Sequence, residues 1–254
     1  MIRSLKLFTL FVFCLKLIVF QASSTDSISS PFVISESDSI LLDSLNDLSY
    51  DLTFYDLDSA LIIIEEYISI SKKNNNYKIA DGIASKGYIY VELGDYKTAL
   101  SCFFNVLKMA EEKADSMLIS QSFNDIAMAY MYSEDYDKSI DYYENSIQIS
   151  KSMNDEKNTS FYLNNYGLVL LLSEDYDKAL EVFKDALDIK QKFKEIENDD
   201  EELYYLDIDI AMLESNIGLI HKNNKEYDKA LEVFNDAKVI YKKINNQNYL
   251  SLTY

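Results

Sequence analysis

The chain has 254 residues, 43 acidic against 24 basic side chains, a single histidine and a net charge of −19. That charge makes nucleic-acid phosphate and a bare anionic lipid surface poor partners. One proline and five glycines leave almost nothing to interrupt a helix, so the composition favours an all-helical protein.

Residues 1–24 differ from the rest. Arg3 and Lys6 precede an apolar run from Leu7 to Phe20, broken by Thr9 and Lys16, and Ala22-Ser23-Ser24 follow. A basic start, a short apolar stretch and small residues at a cleavage point predict a secretory signal peptide. A membrane anchor is the competing reading; Lys16 argues against it, because spanning takes about 20 apolar residues. Cleavage removes Arg3, Lys6 and Lys16 but no acid, so the exported remainder is more negative still. It keeps one cysteine, Cys102, which cannot form an internal disulfide and is expected to be a buried, inert thiol. Residues 25–39 read as a linker.

From residue 40 the chain repeats itself. Gly94-Asp95-Tyr96-Lys97-Thr98-Ala99-Leu100 returns as Glu134-Asp135-Tyr136-Asp137-Lys138-Ser139-Ile140, as Glu174-Asp175-Tyr176-Asp177-Lys178-Ala179-Leu180 and as Lys225-Glu226-Tyr227-Asp228-Lys229-Ala230-Leu231, with the tyrosines 40, 40 and 51 residues apart. Such a period predicts stacked helical pairs, each burying its apolar face against its neighbours. The acidic residue before each tyrosine is expected to start a helix. Behind it the apolar residues step by one, three and four, as in Ala179, Leu180, Phe183, Ala186 and Leu187, which is one helical stripe. Nine residues before each tyrosine stands a small residue, Gly87, Ala127, Gly167 or Gly218, suited to the closest approach of an antiparallel pair. Ala60-Leu61 and Ile64 mark an earlier, degenerate unit. The extra 11 residues of the last interval fall around Glu195 to Asp209; about three turns of helix, they predict a pair longer than its neighbours. Glu214 stands where a bulky apolar residue is expected, with Leu213 beside it as the substitute.

The pattern resembles the tetratricopeptide repeat. Phe123, Ala127, Tyr130, Ser139 and Tyr143 carry the resemblance in one unit, and Leu163, Gly167, Leu170, Ala179 and Phe183 in the next. It covers about residues 40–254 and implies an all-α, right-handed superhelical solenoid of antiparallel helix pairs with a period of about 40: about five repeats plus the start of a sixth. The usual period is about 34, and the family's closing proline is missing from every unit. Tyr254 falls at the bulky position of a sixth first helix. A stack normally ends in a polar cap, so this end predicts a fragment of a longer protein, or a homo-oligomer through the uncapped end.

In such a solenoid the concave face is lined by the first helix of each pair. By resemblance it presents Tyr88; Asn124, Met128 and Tyr132; Asn164, Asn165, Leu168 and Leu172; and Asn216 and Leu219. Amides there exchange hydrogen bonds with a peptide backbone and the apolar groups hold side chains. The competing reading packs some of them against the next repeat. Gripping a terminal carboxylate takes Lys or Arg, which none of these positions holds.

Catalytic readings fare poorly. His221 replaces a core tyrosine of the repeat and is expected to be a packed neutral imidazole. No glycine-rich phosphate loop, paired-cysteine metal site or nucleophile elbow is present, and no cofactor is expected. The acidic run from Glu195 to Glu202 reads as solvated surface rather than a calcium loop. Asn158-Thr159-Ser160 matches a glycosylation acceptor, relevant in a eukaryotic secretory pathway. The expectation is an exported, periplasmic or secreted, non-enzymatic module that binds a protein or peptide. It resembles the extracytoplasmic repeats of bacterial sensor proteins; a stand-alone secreted scaffold is the alternative.

Overall fold

Every helix boundary along most of the chain is set by one device. Four successive connections, 113–115, 133–135, 153–155 and 173–175, have three residues each. The middle residue is left-handed, at φ 52° for Ala114, 63° for Glu134, 56° for Asn154 and 64° for Glu174. The amide after it reaches back five residues, as in Asp135 N–H to Tyr130 O at 2.9 Å and Asp175 N–H to Leu170 O at 2.9 Å, which closes the preceding helix. The same aspartate then opens the next helix, its carboxylate accepting from the amide three residues on: Leu118, Lys138, Asn158 and Lys178. A 17-residue helix and a three-residue turn make 20 residues, and two of these make the 40-residue repeat.

The computed structural model describes residues 36–73 and 78–243, and within them ten helices and no strand. The leader-like segment 1–24, most of the linker and the start of the sixth repeat lie outside the described residues. The chain divides after Leu93 into two units. The first holds α1 (Glu36–Thr53), α2 (Leu57–Lys73) and α3 (Ile79–Glu92); the second holds α4 (Tyr96–Glu112), α5 (Ser116–Tyr132), α6 (Tyr136–Ser152), α7 (Glu156–Leu172), α8 (Tyr176–Ile196), α9 (Asp200–Asn223) and α10 (Tyr227–Lys243). Helix α1 takes in the last four residues of the segment read as linker.

In the first unit α3 packs on α2 through Gly82, where an added Cβ would lie 2.5 Å from the Tyr67 ring. Lys78 pairs with Asp43 and Lys86 with Glu65. In the second unit each helix packs on the next and each first helix also touches the first helix of the following pair. Ala127, Tyr143, Leu163, Val169, Ala179, Phe183, Leu213 and Ile220 form one continuous core there. Serines serve as small core residues in α6: Ser139 Oγ donates to Ala127 O at 2.8 Å, and Ser120 Oγ of α5 donates to Ser146 O at 2.9 Å. Tyr166 and Lys178 both donate to Glu144, at 2.6 and 2.9 Å, tying α6, α7 and α8; burial, reinforced by Glu144, pushes the Tyr166 hydroxyl up to about 12.

The 11 extra residues lengthen two consecutive helices. Helices α8 and α9 have 21 and 24 residues where their neighbours have 17, and their connection keeps three residues. Leu213 fills the core position as expected, while Glu214 is half-buried beside it. His221 is buried, but not as a bare imidazole: its Nδ1 lies 2.6 Å from Glu226 Oε2. Cys102 is partly exposed rather than buried. Asn158 sits in the first turn of α7 and donates to Asp155 at 2.6 Å, so the glycosylation-like triplet is helix rather than loop. Among the described residues no helix is long and apolar enough to cross a membrane.

Candidate interaction face

The first helices α5, α7 and α9 each carry a stripe at helical spacing beside the core, with Leu168 packed against the core's edge. On α5 it runs Asn124, Met128, Tyr132; on α7 Phe161, Asn164 and Asn165, Leu168, Leu172; on α9 Met212, Asn216, Leu219. Asn165 Nδ2 donates to Asn124 Oδ1 at 3.0 Å, bringing the stripes of α5 and α7 side by side. Phe161, Asn164 and Met212 line one small pocket with Ser160, Leu213, Lys190 and Asp209, which does the same for α7 and α9.

Apolar surface dominates this face. Tyr132, Phe161 and Leu172 are 50, 50 and 51 % exposed, and Met212 and Leu219 also face solvent. Met128 and Leu168 are half-buried between them. Single exposed apolar side chains are ordinary, but a run of them across three adjacent helices is the kind of surface that meets a partner.

The amides differ among themselves in burial and partners. Asn124 is 5 % exposed; its Nδ2 donates to Asp125 at 3.1 Å while its Oδ1 accepts from Asn165. These two amides therefore join helices α5 and α7, and Asn165 stays half-exposed beside the contact. Asn164 differs: its Oδ1 is buried in the pocket and accepts no hydrogen bond among the described residues. Next to it Lys190 donates to Asp209 at 2.6 Å. Asn216 is half-buried on α9, and Tyr88 is exposed on α3 of the first unit.

Phe161 and Met212 were absent from the sequence reading, although each lies seven residues, two turns, before a residue that was named: Leu168 and Leu219. The stripe could have been extended by its own spacing.

Consecutive antiparallel helix pairs with a small residue at the crossing define a helical-repeat solenoid. A tetratricopeptide-repeat model matches residues 116–192, and a second one matches residues 80–113 and 215–243, together more than half of the chain. The chain belongs to the tetratricopeptide-repeat family, whose members are protein-interaction modules. None of the curated proteins compared matches it. Among solved structures, BtubC (BKLC) from P. vanneervenii is similar at 18 % identity over 83 % of this chain and 90 % of that one, with a TM-score of 0.64. A kinesin light chain repeat protein from Podosopora anserina is similar at 13 % identity over 84 % of this chain and all of that one, with a TM-score of 0.61. The signal-transduction ATPase PH0952 from Pyrococcus horikoshii, which has a tetratricopeptide-repeat sensor, matches at 15 % identity over 85 % of this chain and 33 % of that one, with a TM-score of 0.64. At these identities the likeness is one of fold.

Proposed function

We propose that the chain is an exported, non-enzymatic binding module that captures a protein or peptide segment on the α5–α7–α9 face, as the sensory or interaction part of a bacterial signalling protein. The observation that carries the binding face is its run of solvent-facing apolar groups, Tyr132, Phe161, Leu172, Met212 and Leu219, on three adjacent first helices. Desolvating such groups supplies affinity, and the unpartnered Asn164 Oδ1 supplies a directional contact. Export rests on the pattern of residues 1–24. A sensory role is supported by the fold it shares with the repeat sensor of PH0952.

The test is site-specific photo-crosslinking in the native cell. A photoreactive residue at Leu172 is expected to yield a discrete adduct, and the same residue at Val239, an exposed position on α10, none. Equal adducts from both positions, or none from Leu172, would overturn the binding face. The N-terminal sequence of the same purified protein tests export: a mature chain starting at Met1 contradicts it.

A further inference from the structure

We infer that Glu214 is a pH-sensitive latch between α9 and α10. While Glu214 holds its proton, α10 lies closed on α9; once Glu214 ionises, the seam between these two helices opens ahead of the rest of the stack.

Position in the repeat singles this residue out. Four residues before the small crossing residue, α3 has Ile83, α5 has Phe123 and α7 has Leu163, and Ile83 and Leu163 are buried. Helix α9 has Glu214 there. Three contacts fix the register of the antiparallel α9–α10 seam: Asp207 with Lys243 at 2.7 Å, Ala211 in a cluster with Ala237 and Tyr241, and Gly218 against the Phe234 ring. Glu214 stands about one turn from Ala211 and one turn from Gly218 on the same stripe, which puts it in the middle of the seam. Its Oε2 is buried and accepts no hydrogen bond among the described residues.

The groups around it leave an ionised carboxylate undercompensated. Asp236 of α10 repels it, and Lys194 of α8, which relieves it in part, is held by Asp207 at 2.5 Å. Lys238, the other charge on this stretch of α10, is half-buried and does not reach Glu214 Oε2. The second lysine of α8 near α9, Lys190, pairs with Asp209 in the pocket, to which α7 brings the neutral Ser160, Phe161 and Asn164. Burial and Asp236 together push the Glu214 carboxyl up to about 7. An opened seam returns it to water and to the ordinary value of 4.5, so the opening equilibrium rises with pH above that value and levels off above about 7. The Asp207–Lys243 pair does not supply this dependence, because its carboxyl is held below the usual value. At the other end of the seam His221 Nδ1 lies 2.6 Å from Glu226 Oε2, and histidine too changes charge near neutrality, so the test must separate the two. Opening stays local because α10 packs on α9 alone among the closely packed helix pairs, whereas the seam of α7 with α8 is closed by Leu163.

The experiment is amide hydrogen exchange of the full chain at about pH 5.5 and about pH 8, expressed as protection factors so that the intrinsic exchange rates cancel. The α10 amides are expected to lose about tenfold in protection at the higher pH, less than the full shift would give because the carboxyl is partly exposed. Those of α5 and α6 are expected to change by less than about twofold. Glu214→Gln is expected to abolish the loss in α10, Asp236→Asn to reduce it, and His221→Asn to leave it in place, with circular dichroism checking that each variant is folded. Asp236 is exposed on α10, so its variant keeps the test decisive where a substitution inside the seam fails to fold. No loss in the parent, a loss that survives Glu214→Gln, a loss unchanged by Asp236→Asn or one that vanishes in His221→Asn overturns the inference. An equal change from α5 to α10 overturns it as well, because the carboxyl then acts on the stability of the whole stack rather than on one seam.

Discussion

At Gly167 a missing side chain decides how closely two helices pack. A Cβ there would lie 2.6 Å from Cε1 of Phe183, and the ring it would strike is fully buried. Gly218 meets Phe234 in the same way at 2.7 Å. A buried ring in a close-packed core has nowhere to step, so an added methyl becomes overpacking. Gly167→Ala is expected to lower stability by about 1–3 kcal/mol, read as a lower urea midpoint, despite the better helix propensity of alanine; an unchanged or higher midpoint contradicts the crossing. These glycines were legible in the sequence because they recur in register with the aromatic residue they face. Asn124 and Asn165 were not, since spacing places a residue on a stripe without saying whether its neighbour across the helix pair will take up its hydrogen bonds. Gly82 was missed for a related reason: its partner, Tyr67, belongs to the degenerate early unit, where no repeat pattern points to it.

Among the elements, α8, α9 and α10 gather their charges around two carboxylates of α9, Asp207 and Glu214. Asp207 of α9 is buried, and Lys194 of α8 and Lys243 of α10 reach it at 2.5 and 2.7 Å. Burial pushes its carboxyl up, but the two lysines outweigh that and hold it below the usual value. Glu214, two turns along α9, has the opposite fate. Burial, with Asp236 of α10 adding to it, pushes its carboxyl up to about 7 against the partial relief of Lys194. A carboxyl that holds its proton more tightly folded than unfolded destabilises the fold only when it ionises. The penalty is absent below the unfolded value of 4.5, grows as pH rises and is complete above about 7. Glu214→Gln is therefore expected to be no more stable than the parent near pH 4.5 and more stable above pH 7. The gain is on the order of 1 kcal/mol, because partial exposure screens the charge. Urea denaturation of both proteins across that pH range checks it, and a constant difference at all pH values contradicts it. The sequence announced the length of these helices and the oddity of Glu214. It was silent on Asp207, whose two lysines lie 13 and 36 residues away on other helices.

For the whole molecule, the fold was largely written in its period. The three-residue turn and its aspartate cap recur so regularly from α4 to α9 that helix length, connection and pairing follow from one segment; the lengthening at α8 and α9 and the shorter α3, which starts at Lys78 without a side-chain cap, depart from it. The candidate face was half legible: Tyr132, Leu172 and Leu219 stood out by spacing, whereas the pocket that Asn164 shares with Lys190 and Asp209 of the next helices emerges only from the packing. Stacked repeats spread charge over a long surface, and 43 acidic against 24 basic residues leave a surplus that local ion pairs do not absorb. Most of the ion pairs involve at least one substantially exposed partner and contribute little each. Mutual repulsion of the surplus is then the larger electrostatic effect on the folded state. Raising sodium chloride from about 0.02 M to about 0.5 M shortens the screening length from more than 20 Å to roughly 4 Å, which relieves repulsion more than it weakens contacts of 2.5–2.9 Å such as Lys194–Asp207 and Lys178–Glu144. The melting temperature is therefore expected to rise with salt; a fall would mean that the ion pairs of α6 to α10, rather than the net charge, govern the electrostatics of the stack.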